Sequence, residues 1–470
     1  MDKLVLYIGI IAIVINYIFF MVYVFEISLS KRGIKKIHRN KKLLHENILS
    51  SETDISRIGN LSLTVVIPAY NEEKTITNSV LSFLNQNYNN IKVYIVNDGS
   101  SDGTKEKVLE YFSMEEIDAL PKISDLTMQP VTEFYHSTTH NEVYLINKLN
   151  GGKSDALNAG INYVDSDYTL LVDADTMLEK NSLVNLMAPY YFKNDIVSIG
   201  GLVRPMTRKE NLAGRSLKIR TKKFLPAFQY LEYLRSVLVF RSSLSTINST
   251  VIVSGAFGVY ETSIIRDIEG FSVNTIGEDF DLTLSIRKHI DDNKLEKRQI
   301  FLYDAVCWTQ PPSTVKDLVK QRSRWQIGFL QTIFKFKGMI FNRKYGKVGM
   351  IGLPLFIFTE IISLLMETLG VVIGLGLLIA GLVSLRQAVF IFVLSYFVNL
   401  FFTLVVIIQN AQVQKTSYKD MLFLLFLSYI EAFSYHWVTI YSKLVGTIKF
   451  IFKRNGKHEW GEIKRDDIIL

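Results

Sequence analysis

Residues Thr169–Met177 read TLLVDADTM, and this stretch decides the fold. Thr169 to Val172 make a short apolar, partly β-branched run, the pattern of a buried strand. The run leads directly into Asp173-Ala174-Asp175. Alternation along an extended chain puts the two carboxylates on one side. A carboxylate pair at the mouth of a strand can seat a hard divalent cation, which in turn grips phosphate oxygens. Alone the triplet says little. An Asp-x-Asp arises by chance about once in a chain of this length, and a loop with two solvated carboxylates accounts for it. The order of motifs on either side decides between the two readings.

Upstream, Leu63–Ile67 (LTVVI) is a second strand, ended by Pro68-Ala69-Tyr70-Asn71-Glu72-Glu73, with a helix expected from near Glu73. Lys92–Val96 is a third, running into Asn97-Asp98-Gly99-Ser100-Ser101-Asp102-Gly103-Thr104, a turn that feeds another helix. Ser113–Asn141 is polar, contains Pro121 and Pro130, and reads as an irregular insertion. Val143–Ile146 is a fourth strand, followed by Asn150-Gly151-Gly152-Lys153. Two glycines and a lysine before a helix can set backbone N–H groups and a cation against a diphosphate. Strand, turn and helix in repetition describe parallel βαβ units, whose ligands bind outside the carboxyl ends of the strands. Asn71, Glu72 and Asp98 lie at such ends. No Gly-x-Gly-x-x-Gly is present, so a dinucleotide cofactor is not indicated.

Downstream, Val253–Tyr260 (VSGAFGVY) is small and glycine-rich, as suits backbone passing close to a ligand. Gly277-Glu278-Asp279-Phe280-Asp281 follows; Asp281 is expected as an exposed carboxylate at a helix start. In Gln321-Arg322-Ser323-Arg324-Trp325, helical spacing puts Gln321, Arg324 and Trp325 on one face. A guanidinium there can hold an anion such as a phosphate, and an indole offers a flat apolar surface.

The 470 residues are 48 % hydrophobic, and the apolar residues gather at the two ends. Leu4–Ile27 is long enough to cross a ~30 Å hydrocarbon core and has no cleavage site after it, so it is expected as a retained anchor. Lys31, Arg32, Lys35, Lys36, Arg39, Lys41 and Lys42 follow, which marks that side as cytoplasmic. The net charge of +8 is concentrated here and in the C-terminal tail, and so points to anionic lipid headgroups rather than nucleic acid. Cys307 is the single cysteine; an intrachain disulfide is excluded, and a cytosolic main domain fits. Ile351–Val383 and Ala388–Gln409 are further spans. Met421–Tyr441 is apolar but carries Glu431 and His436, and a simple span would put the basic tail (Lys449, Lys453, Arg454, Lys457) outside. That segment is therefore expected to be interfacial, re-entrant or a short hairpin. Glu360 and Glu367, seven apart, either line a polar path or pair with neighbouring helices.

VVIPAYNEE, VNDGSSDGT, NGGKSDALNAG and DADT, in this order, resemble the nucleotide-sugar half of family-2 glycosyltransferases over roughly residues 61–345. The resemblance implies an α/β, Rossmann-like GT-A domain inserted between N- and C-terminal transmembrane or interfacial helices. Its expected boundaries are an anchor at 1–30, a basic cytosolic linker at 31–60, the GT-A domain at 61–345, membrane helices at 346–448 and a basic tail at 449–470. It implies contact with a UDP-sugar through Ala69, Tyr70, Glu72, Asp98 (against uracil), Lys153 and Asp173 (facing ribose). Asp175 is implied as ligand to Mg2+ or Mn2+, and Asp279, next to Glu278, as the general base. The family often has Thr where this chain has Gly277. Gln321, Arg324 and Trp325 resemble the Q-x-x-R-W signature of processive synthases of cellulose, hyaluronan and poly-N-acetylglucosamine type. The expected function is inverting, processive polymerisation of a UDP-sugar into a β-linked polysaccharide that is passed across the plasma membrane by a multi-pass enzyme with a cytoplasmic catalytic domain. Expected partners are the UDP-sugar, the growing polysaccharide and a bilayer with anionic headgroups. A homo-oligomer or accessory export proteins are left open. Two alternatives stand beside this reading, a non-processive transferase acting on a lipid carrier and an inactive membrane scaffold. No cyclic-di-GMP-binding domain is expected after the tail.

Overall fold

The computed structural model describes residues 2–47, 58, 60–207, 223–414 and 416–452. Most of the expected linker beyond Asn47, and the basic tail from Lys453 on, lie outside them.

The strands are β1 (Leu63–Ala69), β2 (Ile91–Asp98), β3 (Met114–Ile117), β4 (Val131–Ser137), β5 (Val143–Lys148), β6 (Tyr168–Leu171), β7 (Met177–Leu178), β8 (Ile196–Pro205), β9 (Gly258–Glu261) and β10 (Arg298–Thr309). They form one mixed sheet in the order β3-β4-β5-β2-β1-β6-β9-β8-β10-β7. β5, β2, β1 and β6 are mutually parallel, with Leu63 opposite both Ile91 and Tyr168, and Val93 opposite Val143. The register brings their carboxyl ends to one edge. Val65, Ile67, Val93, Ile95, Leu145 and Leu170 are buried on one face of this block, and Val66, Val96, Ile146 and Leu171 on the other. Burial on both faces is why these strands read as unbroken apolar runs.

The insertion at Ser113–Asn141 is not irregular throughout. β3 and β4 pair antiparallel, and β4 pairs antiparallel with β5, so the segment extends the sheet. Only Phe134 and Ser137 of β4 are fully buried. An edge strand half exposed to solvent needs few apolar residues, and composition alone hides it.

The N-terminal helix, Asp2–Asn47, crosses the expected boundary near residue 30 without a break. The stretch 31–47, expected as linker, continues that helix, and at Gly33 and Ile34 it meets the main domain. A Cβ on Gly33 would lie 2.1 Å from Thr246 Oγ1, and Tyr303 donates to the Ile34 carbonyl at 3.4 Å.

Among the described residues, three helical stretches are long and apolar enough to cross a membrane: Gly9–His38, Val348–Ile379 and Leu385–Val413. The segment expected not to be a simple span is two helices, Tyr418–Glu431 and Tyr435–Phe452, bent by 58°. These helices share a core with the sheet, for Tyr230, Trp308, Phe402, Ile407 and Leu424 belong to one buried cluster. Beyond the bend, the helix Tyr435–Phe452 lies on the helix Val315–Lys335: Ser323 Oγ donates to the Ser442 carbonyl at 2.8 Å.

Candidate active site

The strand ends gather the expected acids. Asp173 and Asp175 follow β6, and Lys153 opens the helix Lys153–Ile161 after β5. Glu278 and Asp279 open the helix Glu278–Asp292. Lys153 Nζ lies 2.6 Å from Asp173 and 2.6 Å from Glu278, so one ammonium ties the strand-end acid to the helix-start acid. Burial works against that charge, and the two carboxylates outweigh it, so the lysine pKa is raised.

Asp279 stands beside this bridge. The Gly255 N–H donates to its Oδ2 at 3.2 Å and the Phe280 N–H to its Oδ1 at 2.8 Å. A Cβ at Gly255 would sit 3.2 Å from Asp279 Cβ and 3.3 Å from Lys153 Nζ. The glycine-rich segment therefore makes its close approach to the acids themselves. Burial raises the Asp279 carboxyl, and Glu278 adds to the rise. Lys153, the Gly255 amide and Arg241 pull it back. Were Asp279 a general base, it would have to be ionised to accept a proton, and activity would be lost as pH falls through this raised pKa. The acid limb of a kcat/KM profile is expected above the ordinary aspartate range near ~4. Glu278→Gln removes a like charge and leaves Lys153 less neutralised. Both effects move the limb to lower pH, and an unmoved limb would remove Asp279 from the role of base.

Gly277, where the family often has Thr, has a packing reason. A Cβ there would meet the Gly328 carbonyl carbon at 3.0 Å, and one on Gly328 would meet the Gly277 nitrogen at 2.6 Å. Two facing glycines let the Glu278 helix start touch the helix Val315–Lys335.

That second helix carries Gln321, Arg324 and Trp325, all of which face the same cavity as the acids. The cavity measures about 1130 Å³. Its lining includes Tyr70, Glu72 and Asp173, Asp279 and Trp325, and Glu360, Glu367 and His436 of the apolar helices. Both readings of the two glutamates hold together. Glu360 pairs with Lys443 at 2.8 Å and Glu367 with His436 at 3.0 Å, and all four line the cavity.

Three residues depart from expectation. Asp98 does not line the cavity. It is 2 % exposed, paired with Lys148 at 2.5 Å, and accepts from the Gly151 and Gly152 N–H groups at 3.0 and 2.7 Å. Those amides are therefore spent on Asp98 and not aimed at a diphosphate. Ala69, the last residue of β1, is buried in the core, leaving Tyr70 and Glu72 at the surface of the cleft. Asp281 is 3 % exposed and is held by Lys335 at 2.7 and 2.8 Å, so it is an internal tie and not a solvated helix-start carboxylate.

Local spacing gave no notice of Glu232, Arg235, Arg241 or Arg322, which also line the cavity. Glu232, Arg235 and Arg241 interrupt a largely apolar helical stretch, Phe224–Arg241, and charges in such a setting are a signal. Arg235 is bound by Glu431, just before the bend.

A mixed sheet with a carboxylate-lined crevice outside its parallel strand ends, joined to apolar helices, defines a GT-A-like transferase. The chain belongs to glycosyltransferase family 2: the model of glycosyl transferase family 2 matches residues 64–243, and that of glycosyl transferase family group 2 matches residues 168–407. The poly-beta-1,6-N-acetyl-D-glucosamine synthase of Staphylococcus epidermidis is 26 % identical over 267 residues, 57 % of this chain and 54 % of that protein. The synthase of the same name from Staphylococcus aureus (strain COL) is 26 % identical over 326 residues, 67 % of this chain and 65 % of that protein. The chain thus spans between about half and two thirds of the length of these relatives. Among solved structures, the mannosyltransferase PcManGT of Pyrobaculum calidifontis, in complex with GDP-Man and Mn2+, matches with a TM-score of 0.50 at 14 % identity, over 92 % of this chain and 100 % of that one. At that identity the likeness shows the fold.

Proposed function

We propose that this chain is a processive, inverting glycosyltransferase that extends a β-linked polysaccharide from a UDP-sugar and passes the product between its own membrane helices. The observation that carries the reading is the single cavity that joins the carboxylate crevice to the polar residues of the apolar helices. A transferase that releases its product into the cytosol has no use for such a continuation. The names of the relatives favour N-acetylglucosamine as the sugar. The basic side chains of Lys31, Arg32, Lys35 and Lys36 are exposed along the N-terminal helix, which suits a cytoplasmic surface against anionic headgroups.

The donor diphosphate lies against Asp173 and Asp175 in this reading. No group of three or more His, Cys, Asp or Glu able to hold a metal occurs among the described residues. A cation such as Mg2+ is commonly held by one or two carboxylates and the substrate's own phosphates, and the donor set here fits that mode. Asp175 would hold it, with Asp173 beside it, and the charge it supplies would stabilise the departing diphosphate. Arg324, which lines the same cavity, adds a guanidinium. Asp279 accepts the proton of the acceptor hydroxyl as that oxygen attacks the anomeric carbon. Trp325, 44 % exposed, gives the acceptor sugar a flat surface.

The test is purified protein offered a panel of UDP-sugars, with product length measured and the polymer digested by linkage-specific hydrolases. Long β-linked product from UDP-N-acetylglucosamine is expected; single-sugar transfer would overturn processivity. In the same assay Trp325→Ala is expected to lose long polymer, since stacking of this kind is worth about 1–3 kcal/mol. UDP affinity should change by less than threefold, and polymer of wild-type length would remove Trp325 from the acceptor path.

A further inference from the structure

Trp325 is not held by the core. Nearly half of its surface faces the cavity, so something else must fix the plane of the ring. Directly against it lies Arg322, 3 % exposed, with its guanidinium carbon 4.1 Å from the indole centroid and 6.0 Å from that of Tyr233. Positions 322 and 325 are neighbours on a helix surface, which brings the two side chains together.

The guanidinium is itself aimed from two sides. Nη2 donates to Glu232 Oε2 at 2.8 Å and Nη1 to Gln321 Oε1 at 2.6 Å. Its Nε has no hydrogen-bond acceptor among the described residues. Glu232 Oε2 also accepts from the Tyr435 hydroxyl, at the first residue of the helix beyond the bend. A contact chain therefore runs from the bend through Tyr435, Glu232 and Arg322 to Trp325.

We propose that Arg322 is a positioning residue that sets the indole of Trp325 in the acceptor path, and that Glu232 and Tyr435 hold it there from the membrane side. The inference rests on the reading of Trp325 as the acceptor floor. Arginine is required because a planar fork can be fixed by two directed bonds while its face lies on an aromatic ring. Lysine supplies only a point charge.

The variants are Arg322→Lys, and Arg322→Met combined with Glu232→Gln so that no buried carboxylate is left unpaired. The full-length protein is assayed with a primer of β-linked N-acetylglucosamine residues, with UDP binding measured separately. 5-Fluorotryptophan reports the ring, its Trp325 resonance assigned by Trp325→Phe. Both variants are expected to raise the primer KM about tenfold, between the scales of an exposed and a desolvated cation–π contact. UDP affinity should stay within threefold and the Trp325 resonance should move. In a Trp325→Ala background, Arg322→Lys is expected to add less than twofold. A tenfold further loss there, full rescue of the primer KM by lysine, or an equal loss of UDP affinity would each overturn the proposal. A wild-type primer KM in Trp325→Ala would overturn the floor reading alone; an unmoved Trp325 resonance in the Arg322 variants would overturn the positioning itself.

Discussion

Asp279→Asn is expected to abolish polymer synthesis while leaving UDP affinity within threefold of wild type. The amide keeps the shape of the carboxylate, and its oxygen can still accept from the Phe280 or Gly255 N–H. What it loses is the capacity to take a proton. Transfer of that proton in the transition state is worth about 10²–10⁴ in rate, or roughly 3–5 kcal/mol of barrier. Glu278 is poorly placed to take over, because Lys153 holds its carboxylate at 2.6 Å. The measurement is turnover of the UDP-sugar into polymer beside calorimetric UDP binding. Activity within a few-fold of wild type would sink the assignment, whereas lost binding would mean that the substitution had disturbed the crevice.

Chelation carries the second large effect. Excess EDTA is expected to stop turnover, with Mg2+ or Mn2+ restoring it, and Asp175→Ala is expected to be beyond rescue by either ion. Asp175 is 2 % exposed, and both of its oxygens lie 3.2 Å from Thr309 Oγ1. That hydroxyl, at the end of β10, orients the carboxylate toward the cleft. Asp173 is already engaged by Lys153, so it is the weaker candidate to stand in. Full activity in EDTA would show that the acid pair has another task and that Lys153 and Arg324 suffice for the leaving charge.

The four parallel strands were legible because burial on both faces writes itself into sequence as unbroken apolar runs. The acids at their ends were legible because strand ends in such sheets face ligands. The surroundings of Asp98 were not legible, for a specific reason. Its position at a strand end is right, but Gly151 and Gly152 in the next loop claim its oxygens, and no spacing rule within either motif foretells that partnership. The Gln321–Trp325 motif was legible as a helix face. Its neighbour Arg322 was not, because what gives it meaning is Glu232, ninety positions away on another helix. β8 and β10, paired in parallel across a long intervening stretch, were missed for the same reason. Long-range pairings are properties of the assembled molecule.

The unbroken helix from the membrane into the main domain makes its residue count a matter of phase. A flexible tether tolerates an added or lost residue; a continuous helix turns by about 100° for each one. Ser30 accepts from Gln409 of a membrane helix, and three residues on, Gly33 is pressed against Thr246 of the main domain. A single insertion between them would keep one seat and swing the other out of contact by about 100°. Length in this stretch can change only by whole turns, so the anchor acts as a keyed shaft that sets the angle of the catalytic sheet over the bilayer.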